Sequence, residues 1–129
     1  MIRLVDLYDG ENVRKGAAEF LYELMKERDP EINISHKSLP SWEEHQSFLV
    51  RRPHRFWYLI ERIKPLENEH PWAGYISATG NNEIGIVLKK EWRGFGFGPM
   101  AIRMFTANHR PNAESASVRN GHWIANIAP

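Results

Sequence analysis

Glu83-Ile-Gly-Ile-Val-Leu88, Lys89-Lys-Glu-Trp92, Arg93-Gly-Phe-Gly-Phe-Gly98 and Pro99-Met-Ala-Ile-Arg-Met-Phe105 follow one another without a break and read as strand, loop and helix. The strand alternates Ile84, Ile86 and Leu88 on one face with Glu83, Gly85 and Val87 on the other, the period of two that a pleated chain imposes. Glycines at 94, 96 and 98 then free the backbone. Pro99 is expected at the first helical position, where a missing N–H costs nothing because that group has no partner within the helix. A glycine-rich loop that feeds a helix N-terminus is an anion site, since unpaired amides and the positive end of the helix dipole converge there, and phosphate is the usual biological occupant.

Outward from this stretch the chain alternates strand and helix signals. Residues 2–7 read as a first strand ended by Asp9-Gly10. Val13, Ala17, Phe20, Leu21 and Leu24 recur at helical spacing over residues 11–28, and Asp29-Pro30 stops that helix. Residues 31–40, with Ser35 and His36, have no period and read as a loop. Ser41-Trp-Glu-Glu44 is a capping-box pattern opening a second helix that is expected to carry Trp42, His45, Phe48 and Leu49 inward and to end near Arg51, Arg52 and Pro53.

Phe56-Trp-Tyr-Leu-Ile60 is apolar on both faces and reads as a central strand covered on both sides. Residues 62–71 form an exposed hairpin loop before the strand Trp72-Ala-Gly-Tyr-Ile-Ser77, and Gly80-Asn81-Asn82 supplies the turn into the strand of Glu83, giving three antiparallel strands. The helix after the loop is expected from Pro99 to about Asn108, burying some of Met100, Ala101, Met104 and Phe105, and His109-Arg-Pro-Asn112 breaks it. Residues 113–121 are polar and take no assignment. Trp123-Ile-Ala-Asn-Ile127 reads as a last strand.

Composition sets outer bounds. The 129 residues suffice for one domain with a real core. Seventeen Lys and Arg against sixteen Asp and Glu leave a net charge of +1, which offers no general attraction for nucleic acid. The chain has no cysteine, so disulfides, thiolate metal sites and a cysteine nucleophile are excluded together, and a cytoplasmic location is compatible. The six histidines, His36, His45, His54, His70, His109 and His122, show no metal-ligand spacing, so no metal is expected. No basic leader followed by an apolar run and no uncharged membrane-length stretch is present, so no membrane partner is expected.

The strand Glu-x-Gly-Ile-x-Leu followed by Arg93-Gly-x-Gly-x-Gly98 resembles the acetyl-CoA-binding core of the GNAT acetyltransferases, whose loop signature is Arg/Gln-x-x-Gly-x-Gly/Ala. The resemblance extends with less specificity over residues 2–127. It implies an α+β fold, a mixed and mostly antiparallel sheet with helices on both faces, formed by a single domain over residues 1–129. The chain ends at Ala128-Pro129, before the last helix and closing strands usual in the family, so the resemblance implies a domain incomplete at its C-terminus.

The family likeness also assigns roles. Amides of Gly94, Phe95, Gly96 and Gly98 would cradle the pyrophosphate of acetyl-CoA, with Arg93 adding charge at the mouth. Main-chain groups at Ile86 and Leu88 would pair with the pantetheine arm where this strand splays from the last one, and an amide there would polarise the thioester. Glu83 is the expected base, because an alkylammonium with a pKa near 10.4 is only about one part in a thousand neutral at pH 7 and must lose a proton before it attacks. His36 and His45 are weaker alternatives. The acceptor expected is a primary amine, an amino sugar or another small amine, and an open C-terminal strand edge offers a route to a homodimer.

Two other readings compete. A non-catalytic acyl-CoA-binding module would keep loop and strand and lack the acid. Arg93-Gly-Phe-Gly-Phe97 also matches the opening of the RNP1 motif of RNA-recognition modules, but that motif must continue as a strand, and Gly98-Pro99 interrupts it. A Walker A loop is excluded because no Lys-Ser/Thr pair follows the glycines, and G-x-G-x-G is not the dinucleotide fingerprint.

Overall fold

The computed structural model describes residues 1–10, 16–27, 39–63, 71–111 and 122–126. Among these residues five strands form one sheet: β1 (Ile2–Asp6), β2 (Phe56–Arg62), β3 (Trp72–Ala78), β4 (Glu83–Leu88) and β5 (Ile124–Asn126), in the order β1-β2-β3-β4-β5. The first four are mutually antiparallel and β5 runs parallel to β4. The first strand thus joins the meander, which has four strands rather than the three expected. Among the described residues three helices accompany the sheet in an α+β fold: α1 (Ala18–Glu27), α2 (Trp42–Val50) and α3 (Phe97–Asn108).

The sheet separates two cores, and the alternation along each strand decides which side chain enters which. Trp57 and Leu59 of β2, Trp72 of β3 and Val87 of β4 pack with Phe20, Leu21 and Leu24 of α1 and Leu49 of α2. Ile60, Ile76, Ile84, Ile86 and Leu88 pack on the other side with Ala101 and Phe105 of α3. Both faces of β2 are therefore covered, as its continuous apolar run requires. Phe105 is fully buried, with its ring against Phe56, Tyr58 and Trp123.

Local chemistry fixes the ends of the elements. Ser41 Oγ accepts from the Glu44 amide at 3.1 Å while the Glu44 carboxylate accepts from the Ser41 amide at 3.2 Å, so the capping box is complete. Asn82 adopts φ +64° after Thr79, a left-handed conformation that Asn accommodates better than branched residues, and its carbonyl accepts from the Ile124 amide at 2.8 Å to start β5. Gly74 faces Leu88 across β3 and β4, where a Cβ would fall on the Val87 carbonyl oxygen and lie 2.8 Å from Leu88 Cα.

Three further expectations are corrected. Phe48 is 38% exposed rather than inward, because the inward line of this short helix is His45 and Leu49, four apart, and Phe48 lies round its edge against His54 and Trp57. Residues 90–92, expected as loop, form a 3₁₀ turn. Helix α3 begins at Phe97, with Gly96 as its N-cap, so Pro99 is the third helical residue and not the first. The proline is tolerated there because its absent N–H still belongs to the first turn, whose donors have no intrahelical acceptor. Residues 31–38, which include Ser35 and His36, most of the 62–71 hairpin loop, the 113–121 stretch and Ile127 lie outside the described residues.

Candidate functional site

The site is built on the outer side of β4. The Thr79 amide donates to the Glu83 carbonyl at 3.0 Å and the Lys89 amide to the Ala73 carbonyl at 2.8 Å. In an antiparallel ladder these two bonds fix the alternation: residues 83, 85 and 87 turn their main-chain groups toward β3, and Ile84, Ile86 and Leu88 turn theirs the other way. On that side β5 is in register as Glu83↔Ile124, Ile84↔Ala125 and Gly85↔Asn126, which leaves Leu88 beyond the described pairing. How residues 86–88 stand to chain after Asn126 falls outside the described residues.

Two contacts hold the turn that follows. The Lys90 amide donates to Glu27 Oε1 at 3.1 Å, tying the turn to the end of α1, and the Arg62 guanidinium lies 3.7 Å from the Trp92 ring centroid. The chain then reverses through Gly94 at φ +86° and Gly96 at φ +79°, a conformation that side-chain-bearing residues rarely adopt. A Cβ at either position would meet nothing within 4 Å, so backbone conformation and not crowding demands glycine there. Gly98 is different: it is buried in the first turn of α3, where a Cβ would lie 3.9 Å from Leu88 Cδ1, and its φ is ordinary.

Among the described residues, the amides of Gly94, Phe95, Gly96, Phe97 and Gly98 donate to no acceptor, and the first bond of α3 runs from the Met100 amide to the Gly96 carbonyl at 3.2 Å. Five consecutive donors thus surround the positive end of a helix of twelve residues. Arg93 is exposed beside them, and its Nε donates to the Leu88 carbonyl at 3.2 Å. The same bond occupies the Leu88 carbonyl, leaving the Leu88 amide as the group of that residue turned outward. Residues 93–97 do not form the strand that an RNP1 motif requires.

Glu83 stands at the opposite end of β4, exposed, with its amide donating to Thr79 Oγ1 at 3.2 Å. Leu88 is five residues further along, about 17 Å on a strand rising 3.3 Å per residue. By alternation it shares a face with Gly85 and Val87, the face of α1 and α2, with the loop and α3 on the other side. The structure therefore brings Ile86, Leu88, Arg93, Gly94, Phe95, Gly96 and Gly98 to one end of β4 and places Glu83 at the other.

His45 is part of the core. It is 3% exposed, its Nε2–H donates to the Ala18 carbonyl at 2.9 Å, and its ring lies between Tyr22 and Trp42, so it joins α1 to α2. Two clusters went unread in the sequence. Tyr58 OH and His109 Nε2 share a hydrogen bond of 2.8 Å between β2 and the end of α3, and nothing in residues 51 apart announces it. Burial, with Asp6 adding to it, raises the Tyr58 phenol above its ordinary value, while burial and then Arg55 lower the His109 imidazole against the opposing effect of Asp6, so both rings are held neutral. The second cluster is Trp92, Phe95 and Phe97, whose spacing in sequence could have signalled it. Among the described residues no group of three His, Cys, Asp or Glu side chains could hold a metal ion, and no helix is long and apolar enough to cross a membrane. No family model matches the chain, and no curated protein matches it.

Proposed function

We propose that this chain is a GNAT-type N-acetyltransferase that binds acetyl-CoA along the outer side of β4 and transfers its acetyl group to a primary amine. The observation that carries the reading is the run of unengaged amides at residues 94–98, held by two left-handed glycines at the end of a strand whose Leu88 amide points outward. The amides and Arg93 take the pyrophosphate, and the Ile86 and Leu88 main chain pairs with the peptide-like arm. An amino sugar or another small amine is the acceptor favoured.

The chemistry then follows from charge. Glu83 accepts a proton from the acceptor ammonium, directly or through water, which its exposure permits. The freed amine nitrogen forms a bond to the thioester carbonyl carbon, and a β4 amide donates to the oxygen as it becomes anionic. Collapse breaks the carbon–sulfur bond, CoA leaves as thiolate, and the second amine proton passes to solvent. Exposed Ile124 on the outermost strand offers an edge on which a second copy could pair.

Calorimetric titration with acetyl-CoA tests the cradle. Wild type binds, and Gly96→Glu, which forces a side chain onto φ +79° and puts a carboxylate among the amides, abolishes binding. Glu83→Gln retains affinity and loses roughly 10²- to 10⁴-fold in thiol release with an amine acceptor. A folded wild type that ignores acetyl-CoA contradicts the reading. An active Glu83→Gln removes Glu83 as the base.

A further inference from the structure

The amides and Arg93 account for the loop's main chain and charge but leave its aromatic rings unused. Phe95 is 61% exposed between the two left-handed glycines. Its ring is stacked on Phe97 with centroids 5.9 Å apart and planes 22° from parallel, and Trp92 lies 5.8 Å from Phe95 and 6.4 Å from Phe97. The Arg62 guanidinium also lies against Trp92. An exposed ring is ordinarily free to rotate. This one is backed by two others, and its neighbours are a row of donors and a guanidinium.

Resting on the phosphate reading of the loop, we infer that Phe95, backed by Phe97 and Trp92, is the stacking platform for the adenine of the CoA nucleotide. Adenine is what lies beyond the phosphates of acetyl-CoA on the side away from the pantetheine arm, so phosphates held by amides 94–98 bring it to the rings of the same loop. Base stacking on an aromatic ring needs a flat π-face and no hydrogen-bond code, which this surface supplies. The consequence is donor selection. A free CoA thioester carries the adenine, whereas a thioester on the phosphopantetheine of a carrier protein does not, so the platform favours the former.

The test titrates wild type, Phe95→Ala and Phe95→Tyr with acetyl-CoA and with 4′-phosphopantetheine, which keeps a phosphate and the arm but has no adenosine. Stacking worth 1–3 kcal/mol corresponds to roughly 5- to 150-fold in affinity. Phe95→Ala is expected to lose that factor for acetyl-CoA and to bind 4′-phosphopantetheine as wild type does, while Phe95→Tyr keeps both affinities. Wild type that binds acetyl-CoA with Phe95→Ala unchanged overturns the platform and leaves the phosphate cradle standing. Equal losses for both ligands overturn it too, since the ring would then act through the fold of the loop. Wild type that binds neither ligand overturns cradle and platform together. A single-stranded oligonucleotide bound through Phe95 in place of acetyl-CoA overturns both in favour of RNA recognition.

Discussion

His109 ends α3 with its ring 4.3 Å from Phe56 and 4.8 Å from Phe105 and its Nε2 on the Tyr58 hydroxyl. Burial is the main reason that its pKa lies below the ordinary histidine value, and Arg55 adds to the shift. His54, half-buried against Trp57, is lowered for the same first reason. The fold therefore favours both rings neutral. Their contribution is complete above the unfolded value near 6.5 and is lost as pH falls below it and through the lowered folded values, because the unfolded chain takes up the protons more readily. His109→Gln, which keeps a polar group for Tyr58, is expected to reduce the drop in urea midpoint between pH 7.5 and pH 5.5, and an undiminished drop would show that this ring does not titrate with folding. None of this was legible beforehand, since a contact between β2 and the end of α3 depends on how the sheet and helix pack and not on any local pattern. The glycines at 94 and 96 were legible, because a positive φ leaves few alternatives to glycine.

At the scale of elements, what could be read was what short-range chemistry dictates. Ser41 and Glu44 announced the start of α2, and both capping bonds are present. Ser41→Ala is expected to lower stability by about 1 kcal/mol, measured as a fall in the denaturant midpoint with an unchanged slope. No change would mean that contacts of α2 with α1 override its cap. The alternation of β4 and the two-sided apolar run of β2 were legible for the same reason, each side chain's face being fixed by its position. The start of α3 was misplaced by two residues because Pro99 was given the position proline favours most, while the turn actually closes on Gly96 and leaves Pro99 in the same orphaned first turn. The inward face of α2 was read one residue too wide at Phe48, an error of edge and not of periodicity.

Across the whole molecule, the sheet order places the parallel partner beside β4 and the other three strands on its far side, so the outward main-chain groups of β4 and the amides after it belong to one surface. The alternation of strand and helix signals made the α+β class legible, whereas the joining of β1 to the meander required pairing across 58 residues, Arg3 with Glu61, which no local signal carries. The site was legible as a loop and a strand. The ties from Glu27 and Arg62 were not, because they come from α1 and β2, while the aromatic cluster lay within the loop's own spacing and went unread. The proposed seat of acetyl-CoA is the loop and the outward side of β4. Amide proton and nitrogen shifts of the ¹⁵N-labelled chain, followed as acetyl-CoA is added, test it most directly. Large changes are expected at Leu88 and at Gly94, Phe95, Gly96, Phe97 and Gly98, with the amides of Tyr58 and Leu59 on β2 unmoved. A folded chain in which those loop amides stay still at saturating acetyl-CoA would contradict it.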